Sequence, residues 1–242
     1  MFGHGYSVAA LAALLGTEPD ATKRQRLLDA VVRGVRFLAQ TQSRRGGWTY
    51  LPDGGDEASV TTTQLQALDV ARRVEVPVAA SMVERAIAYL AACQNDDGGI
   101  RYGLGAGSES RASLTAAALC ASSSFASAEE TVLPGLRRYF EAFGGEAFDT
   151  TGDARPVSAS GGFDKTAFDY YAAFYLTQAA ARFDSPPLRT VAKRLQTQLV
   201  AIQNPDGAFP DGMWGRGLDP VYAAAMATAT LSWPDRLLPA FG

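Results

Sequence analysis

Histidine occurs once in these 242 residues, as His4, and cysteine twice, as Cys93 and Cys120. Two cysteines do not make a disulfide framework, and with one distant histidine they lack the close spacing that holds zinc. No metal and no cofactor is expected. Charge of one sign is also missing: 22 Lys and Arg stand against 25 Asp and Glu, for a formal net charge of −3, and the arginines are scattered rather than clustered. Nothing recruits a polyanion, so nucleic acid is not an expected partner. Long apolar runs are absent, the stretch 8–15 being too short to span a bilayer, and Met1-Phe2-Gly3-His4 carries no charged leader. These features predict a soluble, cytoplasmic protein without a membrane span. No segment reads as a strand of useful length.

Apolar residues make up 47% of the chain, enough for one large core, and there are 24 glycines. The glycines punctuate a repeat. Residues 33–48 form a helical run through Phe37, Leu38 and Gln42 that stops at Gly46-Gly47-Trp48. Residues 85–100 repeat the layout with Tyr89-Leu90, Gln94 and Gly98-Gly99-Ile100, and residues 194–209 repeat it with Gln203, Gly207 and Phe209. Gln42 and Gln94 stand 52 residues apart and Gln94 and Gln203 109, so a degenerate copy is expected between them, at residues 133–148 with Tyr139-Phe140 and Gly144-Gly145. Such a period means stacked helical hairpins. The glycines supply left-handed caps, the glutamines reach orphan carbonyls or a neighbouring repeat, and the aromatic or Ile residue packs back onto the hairpin.

Taken in order, the pattern predicts helices at 5–16, 22–42, 59–73, 81–94, 113–124, 128–143, 166–183, 187–203 and 221–231. Ser81 is read as an N-cap, and 148–162 as a long loop, expected to be mobile or to lie over a rim. Helices starting near 5, 59, 113, 166 and 221 are poor in charge and rich in Ala, Ser, Thr and Tyr, whereas the others carry the Arg and Glu. An inner ring wrapped by an outer one follows.

At every fixed position residues 33–48 resemble the glutamine-tryptophan repeat of the terpenoid cyclase and protein prenyltransferase superfamily, and the copies at 85 and 194 are degenerate forms. With His4-Gly5-Tyr6 and the stretch 55–61, the chain is similar to bacterial prenyltransferase and squalene-oxidase repeat proteins. The resemblance implies an all-α α/α toroid, here a single domain over 1–242, whose inner helices surround a cavity for an apolar small molecule or polymer. The relatives' catalytic signatures are not found: no Asp-x-Asp-Asp string occurs, Asp96-Asp97 lies in a repeat turn, and neither cysteine has an Asp two residues before it.

Candidate chemistry gathers on the rim where the turns lead into the inner helices. His4, Asp56, Glu57, Asp164 and Asp169 are the candidate acids and bases, and paired carboxylates there could act on a glycosidic bond. The alternative is that Asp56, Asp164 and Asp219 cap helix N-termini. Tyr6, Tyr170, Tyr171, Trp214 and Tyr222 are the candidate ligand-lining residues, with core filling as the alternative. Five inner-type and four outer helices fall short of the roughly six hairpins that the resemblance implies for a closed ring. An open crescent is therefore expected, with self-association as a homo-oligomer, or a further N-terminal segment, covering its edge. The reading is a ligand-binding toroid domain, with a diverged cyclase or a carbohydrate-active hydrolase as the enzymatic alternative and an interaction scaffold as the third.

Overall fold

The computed structural model describes residues 1–52, 54–105, 109–142, 170–210 and 220–232. Among these there are nine α-helices and one 3-10 turn, and no strand. In chain order the helices are α1 (Phe2–Thr17), α2 (Ala21–Thr41), α3 (Ala58–Arg73), α4 (Ala80–Ala92), α5 (Ala112–Ser122), α6 (Leu133–Ala142), α7 (Tyr170–Arg182), α8 (Pro186–Ile202) and α9 (Pro220–Ser232). The odd-numbered helices form a row: α3 packs between α1 and α5, and α7 between α5 and α9. Of the even-numbered helices, α2 leans on α1 and α3, α4 on α3, α6 on α5, and α8 on α7 and α9.

Burial explains the two rings. In α3 every residue from Ala58 through Ala71 is buried, including Thr61, Thr62, Thr63, Gln64, Gln66 and Asp69. The threonines survive there because they are satisfied locally: the hydroxyl of Thr61 donates to the Glu57 carbonyl at 2.7 Å, and those of Thr62 and Thr63 to the Ser59 carbonyl at 2.8 and 3.0 Å. α2, by contrast, buries only Val31, Val35 and Leu38 and turns its arginines to water.

The repeat turns share one construction. The amide of Ser43 donates to the Gly47 carbonyl, that of Asn95 to Gly99 and that of Asn204 to Ala208, at 2.8–2.9 Å. The glycine before each closure is left-handed, with φ of 97° at Gly46, 86° at Gly98 and 87° at Gly207. The glutamine folds back on its own turn: Nε2 donates to the carbonyl of Gly46, Gly98 or Gly207 at 2.7–2.9 Å. Trp48 and Ile100 are fully buried and Phe209 nearly so. The Trp48 indole also donates to the Leu38 carbonyl at 3.0 Å, one of the last carbonyls of α2.

Two of the three turns grip the next outer helix. Gln42 Nε2 donates to the Met82 carbonyl of α4 at 2.9 Å while the Arg85 guanidinium donates to its Oε1. Gln94 Nε2 donates to the Val132 carbonyl, just before α6, at 3.1 Å. Contact is so close that a Cβ on Gly46 would lie 2.2 Å from the Arg85 carbonyl, and one on Gly98 2.1 Å from that of Gly135.

Some expectations are corrected. Ala79, not Ser81, is the N-cap residue of α4, and its side chain makes no capping bond. The predicted helix at 128–143 is a 3-10 turn over Ala126–Ala128 followed by α6, with Pro134 at the second position of α6, where its missing amide costs nothing. Gly144-Gly145, the rim loop 148–162 and residues 166–169 lie outside the described residues. No helix among the described residues is long and apolar enough to cross a membrane.

Candidate functional site

The turns deliver the chain to the N-terminal ends of the inner helices, and aromatic rings collect there. Phe2 of α1 lies 5.4 Å from Tyr6, 6.2 Å from Tyr171 of α7, and 6.1 Å from Tyr50, nearly parallel to it. Tyr50 and Tyr102 occupy the same place in consecutive repeats, two residues past Trp48 and Ile100, and their hydroxyls meet at 3.4 Å. The Arg111 guanidinium stands 5.2 Å over the Tyr102 ring. Tyr50 is 54% exposed and its neighbour Leu51 70%. The rim therefore carries an aromatic cluster, called the aromatic mouth below, exposed at Tyr50 and half-buried at Tyr171.

Below the mouth a polar column crosses the ring between α3 and α7. Thr62, Gln66 and Asp69 share one stripe of α3, and Tyr171, Tyr175 and Gln178 share one of α7. The Thr62 hydroxyl meets that of Tyr171 at 3.4 Å, the Tyr175 hydroxyl donates to Gln66 Oε1 at 2.8 Å, and Gln66 Nε2 donates to Gln178 Oε1 at 3.4 Å. Tyr175, having given its proton to Gln66, is left to accept from Tyr6, whose hydroxyl is 3.4 Å away. Burial, reinforced by neighbouring phenols, raises Tyr6, Tyr171 and Tyr175 well above the usual tyrosine range. They stay neutral donors. The column ends in a buried Gln178 Nε2 that has no partner.

The predicted acids and bases do not converge. His4 faces α2: its Nε2 lies 3.2 Å from the Gly34 carbonyl and its ring 4.9 Å from Phe37. Asp56 accepts from the Ser43 hydroxyl at 2.9 Å within the first turn, and it does not cap α3. The cap is Glu57, one residue on. Its carboxylate accepts from the amides of Ser59 and Val60 at 3.0 and 2.8 Å and from the Ser59 hydroxyl on both oxygens. Burial raises the Glu57 carboxyl above the usual range, against the pull of those hydrogen bonds. Asp164, Asp169, Trp214 and Asp219 lie outside the described residues.

Of the predicted ligand-lining residues, Tyr6, Tyr171 and Tyr222 come together, Tyr222 being an electrostatic neighbour of the other two. Tyr170 points elsewhere, donating to the Pro210 carbonyl at 2.7 Å. Phe2, Tyr50, Tyr102, Gln66 and Gln178 were not singled out from the sequence. The 52-residue period places Tyr50 over Tyr102, and the i, i+4, i+7 stripe of α3 contains Gln66. Cys93 closes α4 and Cys120 lies in α5, both buried and unpaired. No three His, Cys, Asp or Glu side chains among the described residues are grouped to hold a metal.

No family model matches this sequence and no curated protein does. Solved structures do. A protein from Actinoplanes superposes with a TM-score of 0.60 at 17% identity, over 93% of this chain and 64% of that one. A variant of the type II terpene cyclase MstE from Scytonema, in complex with its substrate geranylgeranyl dihydroxybenzoate, superposes with a TM-score of 0.59 at 15% identity, over 98% of this chain and 70% of that one. An apo variant of the same enzyme gives 0.58 and 16%, over 98% and 69%. The fold is the α/α fold of the terpenoid cyclases. At these identities the likeness is one of architecture. This chain spans about two thirds of the length of the structures it matches.

Proposed function

We propose that the chain binds an apolar, prenyl-type small molecule in the aromatic mouth at the N-terminal ends of α1, α3 and α7. The observation that carries this is the convergence of Phe2, Tyr6, Tyr50, Tyr102 and Tyr171 from four separate segments on one rim. Aromatic rings offer large apolar faces at low entropic cost, and their hydroxyls suit a ligand with one polar end. The polar column beneath limits the depth to which an apolar chain enters. A terpene cyclase of this fold holds a molecule of that kind, a geranylgeranyl chain on a dihydroxybenzoate head.

A second reading, a diverged cyclase, is favoured by Glu57, a buried acid beside Tyr102 that keeps its proton above the usual carboxyl range. For that role its carboxyl would have to leave the α3 cap. The hydrolase reading finds no support in the described residues, since Asp56 and Glu57 serve a turn and a cap.

Titration calorimetry with geranylgeranyl dihydroxybenzoate tests the proposal. Saturable binding is expected, weakened about tenfold by Tyr171→Ala and unchanged by Phe37→Ala on the outer ring. Absence of binding, or equal losses in both variants, would refute it. Conversion of the probe to an isomer of equal mass, lost in Glu57→Gln, would move the chain to the cyclase reading.

A further inference from the structure

Helices α1, α3 and α7 meet across the ring through side chains that an apolar core would not need. The Thr62 hydroxyl gives its proton to the Ser59 carbonyl at 2.8 Å, so Tyr171 donates to Thr62, while Tyr6 donates to Tyr175, Tyr175 to Gln66 and Gln66 to Gln178. Only the Tyr175–Gln66 bond is short, at 2.8 Å; the contacts on either side of it are 3.4 Å long. Gln178 Nε2 is buried with no partner. Beyond Gln66 the stripe of α3 stays polar, since Asp69 accepts from Arg72 at 3.2 Å and from Arg73 at 3.0 Å. Leucines in place of the two glutamines would fill similar space with nothing left to satisfy, so stability gives no reason for the amides.

We infer that this column is the stop that sets how long a prenyl chain the aromatic mouth accepts, with Gln66, Tyr175 and Gln178 as the residues that determine it, and that the fitted length is that of a farnesyl group. The inference rests on the ligand reading above, with the chain entering tail first and its polar end at the rim beside the Tyr50 and Tyr102 hydroxyls. Phe2 lies 6.1 Å from Tyr50 and 6.2 Å from Tyr171, so from the exposed end to the column the rings reach no farther than those two steps together. An extended chain advances about 1.2 Å per backbone bond: the eleven bonds of farnesyl span that depth, the seven of geranyl fall short and the fifteen of geranylgeranyl overshoot. A terminus driven past Tyr171 must part Tyr175 from Gln66, and an alkene offers neither group a replacement. The apolar surface gained is offset by the polar groups left stranded, whereas an apolar floor could repack around the chain.

The test is calorimetry with the geranyl, farnesyl and geranylgeranyl forms of dihydroxybenzoate. Farnesyl is expected to bind at least about tenfold tighter than geranyl, each buried methylene being worth about fourfold, and geranylgeranyl within about threefold of farnesyl. In the triple variant Gln66→Ala, Tyr175→Phe, Gln178→Ala, which removes all three partners at once and leaves an apolar hollow, geranylgeranyl should bind about tenfold tighter than farnesyl. Circular dichroism checks folding; if the triple variant does not fold, Tyr175→Phe alone should raise the ratio of geranylgeranyl to farnesyl affinity about threefold. An affinity of the unaltered protein that climbs another tenfold or so from farnesyl to geranylgeranyl, or a length profile that the variants leave unchanged, overturns the inference while the ligand reading stands. Lack of binding by all three probes overturns both.

Discussion

The turn at Gly98 and the turn at Gly207 have the same backbone, the same glutamine latch and nearly the same φ, yet one is sealed under α6 and the other meets nothing within 4 Å among the described residues. Local sequence builds the turn; the neighbouring repeat decides what the turn is worth. The same kind of glycine is a packing requirement at Gly98 and, among the described residues, only a conformational one at Gly207.

Substitution of these glycines separates the two roles most sharply. Gly98→Ala puts a methyl 2.1 Å from a backbone oxygen as well as into a left-handed conformation, and a loss of about 4 kcal/mol or failure to fold is expected. Gly207→Ala meets only the conformational term, roughly 1 kcal/mol. Urea denaturation of both variants measures the gap, and equal losses would erase the distinction. The glutamines should follow with smaller effects. Gln42→Ala removes bonds to Gly46, Met82 and Arg85, for about 2 kcal/mol, whereas Gln203→Ala removes one exposed bond, for about 0.5 kcal/mol.

Glu57 offers a pH-dependent comparison with the exposed carboxylates. Its folded-state carboxyl is raised by burial, so its contribution to stability is fully present below the unfolded glutamate pKa of about 4.3 and is lost as pH rises through the higher folded value. Glu57→Gln should flatten the stability profile in the window just above pH ~4.3. Glu57→Ala should cost about 1 kcal/mol through the lost cap. Chemical denaturation across that window checks both. The smallest effect is chemical. Burial pushes the Cys93 thiol up to about 11 and that of Cys120 to about 12, so neither should react with iodoacetamide at neutral pH until urea is added. Mass spectrometry reads the labelling.

The repeat was legible because it is local: Gln42, Gly46 and Trp48 lie within one helix end and its turn, and their spacing states the geometry. Charge-poor helices such as α3 announced the inner ring for the same reason. Capping at 56 and 57 was misplaced by one residue, since both side chains are carboxylates and only the backbone decides which faces the free amides of α3. The column of Gln66, Tyr175 and Gln178 was not legible at all. It depends on how tightly the ring curls, which brings α3 and α7 together across 109 residues of sequence. Of the aromatic cluster, Tyr6 and Tyr171 were legible, while Tyr50 and Tyr102 enter it from turns.

The most direct test of the aromatic mouth is photo-cross-linking with a prenyl chain bearing a benzophenone, followed by peptide mapping. The account predicts adducts confined to the segments of Phe2, Tyr6, Tyr50, Tyr102 and Tyr171, competed away by unlabelled geranylgeranyl dihydroxybenzoate. Adducts on the outer helices α2, α4 and α8, or labelling that the competitor leaves untouched, would contradict it.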